Sequence, residues 1–480
     1  MQNLNLAINA DKNSSLPICA LQFGEGNFIR GFIDWMIYKA NAQGLFNGRV
    51  VALQCTPRGQ SVPKLQSQDG LFTTILHAIK DGQAVEEVEV INTIAEALNP
   101  YAQWEQILAL SVNPEIKFVF SNTTEAGISF VSEQPFNTDV CPESYPGKLT
   151  AILYERFKAG VSGLWVIPCE LIENNGSTLK DLVLRHVSEQ HLGADFKDYV
   201  EQQCRFLNTL VDRVISGYPV SEEAYYQEKL GYADALMTCG ECFHFMAIEG
   251  DESVAQALPF AQAGLNVVVA PDITPYRLRK VRVLNGAHSA NVPAAYLANL
   301  DTVDEMMSHE VIGKFARSVI YDEIVPAVNL DQEMLKSFAD DVVARFADPA
   351  MHHQLSAILM NSTAKVKARI IPTILDARAK GYLPKKLCFA VAAYIALYKD
   401  KSGDFVDDAY AQSVLKEAWT HYSKSEASAL FTVKAVLSNI KLWDCDLSCD
   451  VDLTALVARL THAIISDGVI DTMLDLLEHN

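Results

Sequence analysis

The 480-residue chain is 49% hydrophobic and 20% charged, which supports buried cores in two or three domains and excludes a disordered polyelectrolyte. Its formal net charge of −20 excludes a general binder of the nucleic-acid backbone, which needs clustered positive charge. Ten cysteines are too few for a disulfide scaffold, and no apolar run approaches the roughly 18–20 residues of a membrane span.

Residues 1–15 have neither a basic start nor an apolar stretch, so no signal peptide is expected and the cytoplasm is the expected compartment. Beyond them, short β-rich runs alternate with helical stretches. Strands are predicted at 18–23, 49–54, 71–79, 85–94, 116–121, 163–169 and 265–270. Several are continuous Val/Ile/Leu runs, the pattern of strands covered on both faces, whereas 85–94 alternates polar and apolar residues like an edge or hairpin strand. This order predicts an α/β fold: a Rossmann-like, dinucleotide-binding N-terminal domain over 1–275 with a mostly parallel sheet. After it, 311–325, 385–399, 426–443 and 452–465 carry apolar residues at helical spacing and predict a mainly α-helical C-terminal domain over 276–480 that handles substrate and catalysis. Most of the negative excess lies in the first part. The second holds two basic knots, Arg277/Arg279/Lys280/Arg282 and Lys365/Lys367/Arg369, and local positive charge on an acidic chain suits capture of a small anion.

The first chemical signal follows the first strand. Gly24 and Gly26 come directly after Phe23, and a helix is predicted to begin near Phe28. A dinucleotide turn needs one glycine for the tight bend and another for close approach of the pyrophosphate, with the helix N-terminus supplying amide donors. Ile29 occupies the usual third glycine position, and the next glycine is Gly31. The second strand runs into Gln54, Cys55, Thr56, Pro57 and Arg58 without the usual ribose-binding carboxylate; Arg58 would favour a 2′-phosphate, so the residues alone leave NAD against NADP open.

The second signal is RLRKVRVLNGAHSA, in which Asn285–Gly286 is expected to interrupt a helix. On an α-helix, Lys280, Asn285 and His288 fall at about 0°, 140° and 80° around the axis, on one broad face. Such a set offers a proton donor, an oxyanion hydrogen bond and an orienting group, against the plainer reading of a surface Lys, a capping Asn and a core His. Glu125, in a loop after a strand, and Asn175, in a turn after another, are further candidates. Glu241 and His244 read as core residues rather than an orienting pair, and His352 and His353 as a solvated turn. The pairs Cys239/Cys242 and Cys445/Cys449 read as free thiols, and no metal is expected.

Together QFGEGNFIRGF, QDGLFT, NTTEAG, FLNTLVDR, PYRLRKVRVLNGAHS and KVKARIIP resemble the polyol-specific long-chain dehydrogenase/reductase family, which includes mannitol and hexuronate dehydrogenases. FGEGNFIRGFIDW, LWVIPCELIENNG and GYADALMTCGECFHF look most like its hexuronate reductases. The resemblance implies NAD-linked, metal-independent reduction of a ketose-like carbonyl, with the cofactor turn on Phe23, Gly24, Glu25, Gly26, Asn27, Phe28, Ile29 and Arg30. It assigns Lys280 as proton donor, Asn285 to the developing alkoxide and His288 to a neighbouring hydroxyl or the reacting oxygen. A free Lys titrates near 10.4, so reversible action near neutrality favours nearby positive charge, for which Arg277, Arg279 and Arg282 are candidates, or burial. Many members have Cys-acidic-Asn where this chain has Cys169, Glu170 and Leu171, and Asn175 is the substitute candidate. An anionic sugar acid suits the charge pattern better than a neutral polyol, with Arg369, supported by Lys365 one turn away, as the carboxylate partner. The alternatives are fructuronate or mannitol chemistry on the same scaffold, a non-catalytic nucleotide-binding protein and a zinc alcohol dehydrogenase. The sequence specifies no oligomeric state.

Overall fold

The computed structural model describes residues 1–12, 15–80, 83–136, 140–349 and 353–479, which divide into two units, Met1–Ile273 and Thr274–Asn480. In chain order the strands of the first unit begin with β1 (Ile18–Phe23), β2 (Arg49–Leu53), β3 (Phe72–Lys80), β4 (Gln83–Ile91), β5 (Ile94–Leu98), β6 (Phe118–Ser121), β7 (Trp165–Pro168) and β8 (Arg205–Phe206). There follow β9 (Thr209–Asp212), β10 (Ile215–Gly217), β11 (Thr238–Glu241), β12 (Phe245–Glu249) and β13 (Val267–Ala270).

The main sheet has the order β5-β2-β1-β6-β7-β8 with every pair parallel. Numbered among its own members this is 3-2-1-4-5-6, the doubly wound dinucleotide-binding order, and the direction of growth reverses between β1 and β6. Alternate residues explain why the strand runs are continuously apolar. Ala20, Val50, Ala52 and Phe120 enter one cluster, while Leu21, Phe23, Val51, Leu53 and Val119 enter a second on the opposite face. The predicted strand 85–94 divides in two. Its alternating part is β4, antiparallel to β3, whereas Ile94 starts β5 and pairs with Val50 in the parallel sheet. Strands β8 to β12 were not among the predicted ones: they are two to five residues long and several carry polar or glycine positions, too short to show a period.

The second unit is helical. Its helix Lys385–Asp400 is buried continuously from Lys386 to Tyr398, which explains its nearly unbroken apolar sequence. The predicted 426–443 helix breaks into Glu426–Leu437 and Ile440–Trp443, where Asn439 caps the second piece. The predicted interruption at Asn285–Gly286 takes another form. The backbone stays helical but is π-helical over Lys280–Asn285 before continuing as Gly286–Leu297. Further π turns occur at Val319–Ile324 and Val366–Ile370, and both pack against the first. Among the described residues no helix is long and apolar enough to cross a membrane.

One buried carboxyl sits beneath the glycine turn. Asp34 is fully buried and accepts from Gln22 Nε2 at 3.1 Å, while its Oδ1 and the Oε1 of Gln22 have no partner among the described residues. Burial pushes Asp34 up to about 7. The folded chain therefore holds this proton more tightly than the unfolded one. The stabilisation is complete below the unfolded value of 3.8 and is lost as pH rises through about 7. Asp34→Asn keeps the shape without the charge. Relative to it, the wild type is expected to lose about 1.4 kcal/mol per pH unit between those limits, measured by urea unfolding at several pH values. Parallel stability curves for the two proteins would refute this.

Candidate functional site

The turn after β1 has the geometry of a phosphate cradle. Gly24 has φ of +118°, and a Cβ there would lie 2.8 Å from the carbonyl oxygen of Asn122, so only glycine fits. Gly26 differs: its Cβ would enter open space at the start of the helix that begins at Asn27, leaving the backbone accessible to a ligand. That is the division of labour a dinucleotide turn requires. Gly31 takes over the packing task of the missing third glycine. It lies in the π-helical turn Arg30–Asp34, and a Cβ would meet Ile215 and Thr238 at 2.9 Å. Ile29 is a core residue.

Arg30 braces this turn from below. Its Nε donates to the Glu25 carbonyl at 3.0 Å and its Nη2 to Asn27 Oδ1 at 2.8 Å, with 2% exposure. Phe28 stacks on Phe32 with ring centres 5.1 Å apart. Beside the turn, at the carboxyl ends of β1, β2 and β6, lies a cleft of about 310 Å³ lined by Phe23, Cys55, Thr56, Thr123, Tyr145 and Lys148 among others. It occupies the switch point of the sheet, where open α/β folds bind ligands, and its size suits part of a dinucleotide. Thr124, on its wall, has φ of +70°, a rare conformation for a β-branched residue and one found at ligand clamps.

Two expected residues of this unit stand elsewhere. Glu125 is exposed on the loop, although its neighbours Thr124, Ala126 and Gly127 line the cleft. Asn175 is fully buried; its Nδ2 faces the carbonyls of Pro168 and Glu170 and the hydroxyl of Thr209, and its Oδ1 accepts from Gly176 and Thr209. Its hydrogen-bonding capacity is spent as a clamp, so it is not the substitute oxyanion donor. Leu171 is 61% exposed. Glu170 ties two strand ends together, accepting from Ser121 Oγ and from the N–H and hydroxyl of Thr123 at 2.8–3.0 Å. His244 bridges the Cys242 carbonyl and the Asn266 N–H, and Glu241 accepts from the N–H of Val214, so both serve the framework.

The second unit gathers most of its expected residues. In a π turn residues five apart are hydrogen-bonded neighbours, so Lys280 and Asn285 stand closer in angle than the 140° of an α-helix. The Asn285 carboxamide makes no hydrogen bond among the described residues. Its carbonyl receives Arg369 Nη1 at 3.3 Å, and the same nitrogen donates to Ser289 Oγ at 3.0 Å. Lys365 donates to the Ile358 carbonyl at 2.7 Å. Neither Arg369 nor Lys365 has an ion-pair partner among the described residues, in contrast to Lys367, which pairs with Asp444 at 2.7 Å. Of these three basic residues, Lys367 is thus the one held in a surface ion pair among the described residues. Burial lowers Arg369 to about 10, still cationic at neutral pH, and lowers Lys365 as well, with Arg369 adding to that effect.

His288 stacks on Phe346 with ring centres 4.0 Å apart, and its Nε2 is buried without a partner among the described residues. Burial first, then the nearby basic groups of His353, Arg345, Arg369 and Lys365, hold it well below the ordinary imidazole range. It is therefore neutral at pH 7 and can offer either a donor or an acceptor. The arginines suggested as neighbouring charge for Lys280 divide. Arg282 pairs with Asp376 at 3.1 Å and donates to Thr373, and Arg279 lies over the Phe338 ring at 4.3 Å. Arg282 is thus neutralised by its partner.

Sequence reasoning missed His353, which packs edge-on against His288 at 5.2 Å instead of lying in a solvated turn; His352 is outside the described residues. It also missed Ser289 and the anchor beneath Lys365. There Asp407 accepts from the N–H and hydroxyl of Thr363 and from the Tyr398 hydroxyl, fixing the start of the helix. The adjacent histidines were the visible signal; the anchor had none. The cysteines described are free thiols, and no group of three or more His, Cys, Asp or Glu suited to a metal occurs among the described residues.

The mannitol dehydrogenase Rossmann domain model matches residues 18–262, and the mannitol dehydrogenase C-terminal domain model matches 272–465. An altronate oxidoreductase of Halalkalibacterium halodurans is 40% identical over 477 residues, covering 95% of this chain and 93% of the relative. One from Cronobacter sakazakii is 42% identical, covering 94% and 95%. Among solved structures, a Pseudomonas fluorescens mannitol 2-dehydrogenase in ternary complex with NAD and D-mannitol aligns at a TM-score of 0.73 and 19% identity over the whole of both chains. A D-sorbitol dehydrogenase aligns at 0.79 and 19%, covering 98% of this chain and 100% of that one. These two show the shared fold. With both family models and relatives of this identity spanning nearly all of its length, the chain belongs to the mannitol dehydrogenase family of oxidoreductases.

Proposed function

We propose that this chain catalyses the reversible NADH-dependent reduction of D-tagaturonate to D-altronate, with Met1–Ile273 holding the dinucleotide and Thr274–Asn480 holding the sugar acid. The observation that carries the substrate class is the pair Arg369 and Lys365, two partly buried cations without an ion-pair partner among the described residues, beside Asn285, Ser289 and His288. Buried charge is costly unless paired, and a carboxylate on the substrate is the missing partner. The relatives' name, altronate oxidoreductase, supports the same substrate class.

The open cradle at Gly26 and the cleft at the sheet's switch point fit a nicotinamide dinucleotide, with Gly24 and Gly26 shaping the phosphate turn and Arg30 bracing it. A reduced nicotinamide supplies the hydride for the carbonyl carbon. Lys280 Nζ gives the proton to the carbonyl oxygen and takes it back in the reverse direction, so one hydride and one proton make the secondary alcohol. The Asn285 carboxamide, free of other hydrogen bonds among the described residues, donates to the oxygen as it gains negative charge. His288, held neutral, hydrogen-bonds a neighbouring hydroxyl or the reacting oxygen, and Arg369 fixes the far end of the substrate through its carboxylate. No step requires a metal ion. The free thiols described suit a reducing compartment, and we assign the chain to the cytoplasm.

The test follows NADH absorbance with a panel of hexuronates and neutral ketoses, with NADPH as a parallel donor. D-tagaturonate is expected to be the best acceptor. Faster turnover of D-fructuronate or D-fructose would reassign the substrate, and no turnover with any carbonyl would leave a nucleotide-binding protein.

A further inference from the structure

In a Rossmann unit the adenosine ribose is ordinarily read by a carboxylate at the end of the second strand, which accepts a ribose 2′-hydroxyl and repels a 2′-phosphate. Here β2 ends at Leu53, and no acid follows before Asp69. Gln54 does not fill the role: it is 1% exposed, and its Nε2 donates to the Thr56 carbonyl at 2.7 Å.

A carboxylate reaches the same place from the glycine turn. Gly24 donates its N–H to the carbonyl of Leu53 at 3.1 Å, which stitches the turn to the last residue of β2. The next residue is Glu25. The buried Arg30 guanidinium holds the Glu25 carbonyl and so fixes the direction in which the side chain leaves the backbone. That side chain makes no hydrogen bond or ion pair with another side chain among the described residues, although Glu25 is only 8% exposed. Burial raises its proton affinity, and the N–H of Cys55 opposes this by favouring the charged form. Cys55 and Thr56 form part of the cleft wall. A nearly buried carboxylate without a side-chain donor is costly unless a ligand supplies one. Arg30 favours the charged form from nearby, but its guanidinium is hydrogen-bonded to the carbonyls of Glu25 and Leu236 and to Asn27 Oδ1 rather than to the Glu25 carboxylate. Lys148 is directed to the Glu143 carbonyl at 2.6 Å and the Tyr101 hydroxyl at 3.3 Å, and Arg58 is exposed.

We propose that Glu25 reads the adenosine ribose in place of the missing β2 carboxylate and thereby selects NAD(H) over NADP(H). The inference rests on the reading that this unit binds a nicotinamide dinucleotide. Glu25 accepts hydrogen bonds from the ribose hydroxyls, and its charge repels a 2′-phosphate at the same position.

The experiment measures binding of NADH and NADPH to the full chain by fluorescence titration, without sugar, so that it does not depend on turnover. Wild type is expected to bind NADH the more tightly. Glu25→Gln is expected to weaken NADH, strengthen NADPH and shift their affinity ratio about 10- to 100-fold toward NADPH. An unchanged ratio in a variant that melts like the wild type overturns the proposal, as does a wild type that prefers NADPH, which would point to Arg58 or Lys148 as the reader. Glu25→Asp, which keeps the charge but withdraws it, is expected to weaken NADH while still excluding NADPH; NADH affinity equal to the wild type would also overturn the proposal. Binding of neither nucleotide by folded wild type defeats the dinucleotide reading, and this inference with it, whereas binding with an unaltered preference defeats this inference alone.

Discussion

Replacing Lys280 by alanine is expected to lower kcat for hexuronate reduction by about 10²- to 10⁴-fold, the range over which a positioned acid–base group contributes. NADH affinity is expected to stay unchanged, because the role proposed for Lys280 is proton transfer to the sugar rather than cofactor binding. Proton transfer, rather than binding, is the step removed, so kcat and kcat/KM should fall together. Added small primary amines should restore part of the rate by supplying the missing donor from solution. A variant that loses substrate affinity with kcat intact would show that Lys280 binds the sugar acid and that another group carries the proton. Asn285→Ala should also lower kcat, by the loss of one oxyanion donor.

The second large effect belongs to Arg369. Removing one member of a desolvated charge pair costs about 2–5 kcal/mol, so Arg369→Ala is expected to raise KM for the hexuronate roughly 30-fold or more. NADH affinity should change little. Because Arg369 also donates to Ser289 and to the Asn285 carbonyl, some loss of stability is expected as well, and thermal melting separates the two effects. Arg369→Lys keeps the charge but loses the planar fork, so its KM should fall between those of wild type and the alanine variant. The strongest check is a neutral ketose, which carries no carboxylate: any residual turnover of it should be insensitive to Arg369. Equal losses for hexuronate and NADH would reject the carboxylate role.

The three π turns among the described residues of the helical unit explain how the proposed site can be assembled from ordinary helical sequence. A π turn inserts one residue into the helical ladder and rotates everything after it, which re-aims side chains without breaking the helix. One carries Lys280 and Asn285, and another carries Arg369 directly after Lys365. The Asn285–Gly286 pair thus marks a real irregularity, but of a kind that composition cannot name. A Cβ at Gly286 would find only ordinary contacts, at 3.5 Å and beyond, so packing does not demand glycine there.

The sequence by itself determined the layer architecture, because continuous apolar runs become strands buried on both faces and amphipathic periods become helices wherever they fold. It also determined the glycine turn, since φ of +118° at Gly24 admits little but glycine, and the lysine–asparagine–histidine spacing, which is local along one helix. Tertiary structure alone decided the partners. Nothing in the chain order separates Arg369, which lacks a counter-ion among the described residues, from Lys367, which has Asp444, and nothing local shows that Asn175 is consumed as a clamp by Pro168, Glu170 and Thr209. Likewise Glu25 reaches the end of β2 only because parallel pairing sets Phe23 beside Leu53. Hydrogen-bond saturation, desolvation and charge pairing depend on residues tens to hundreds of positions apart. They exist only once the chain has folded.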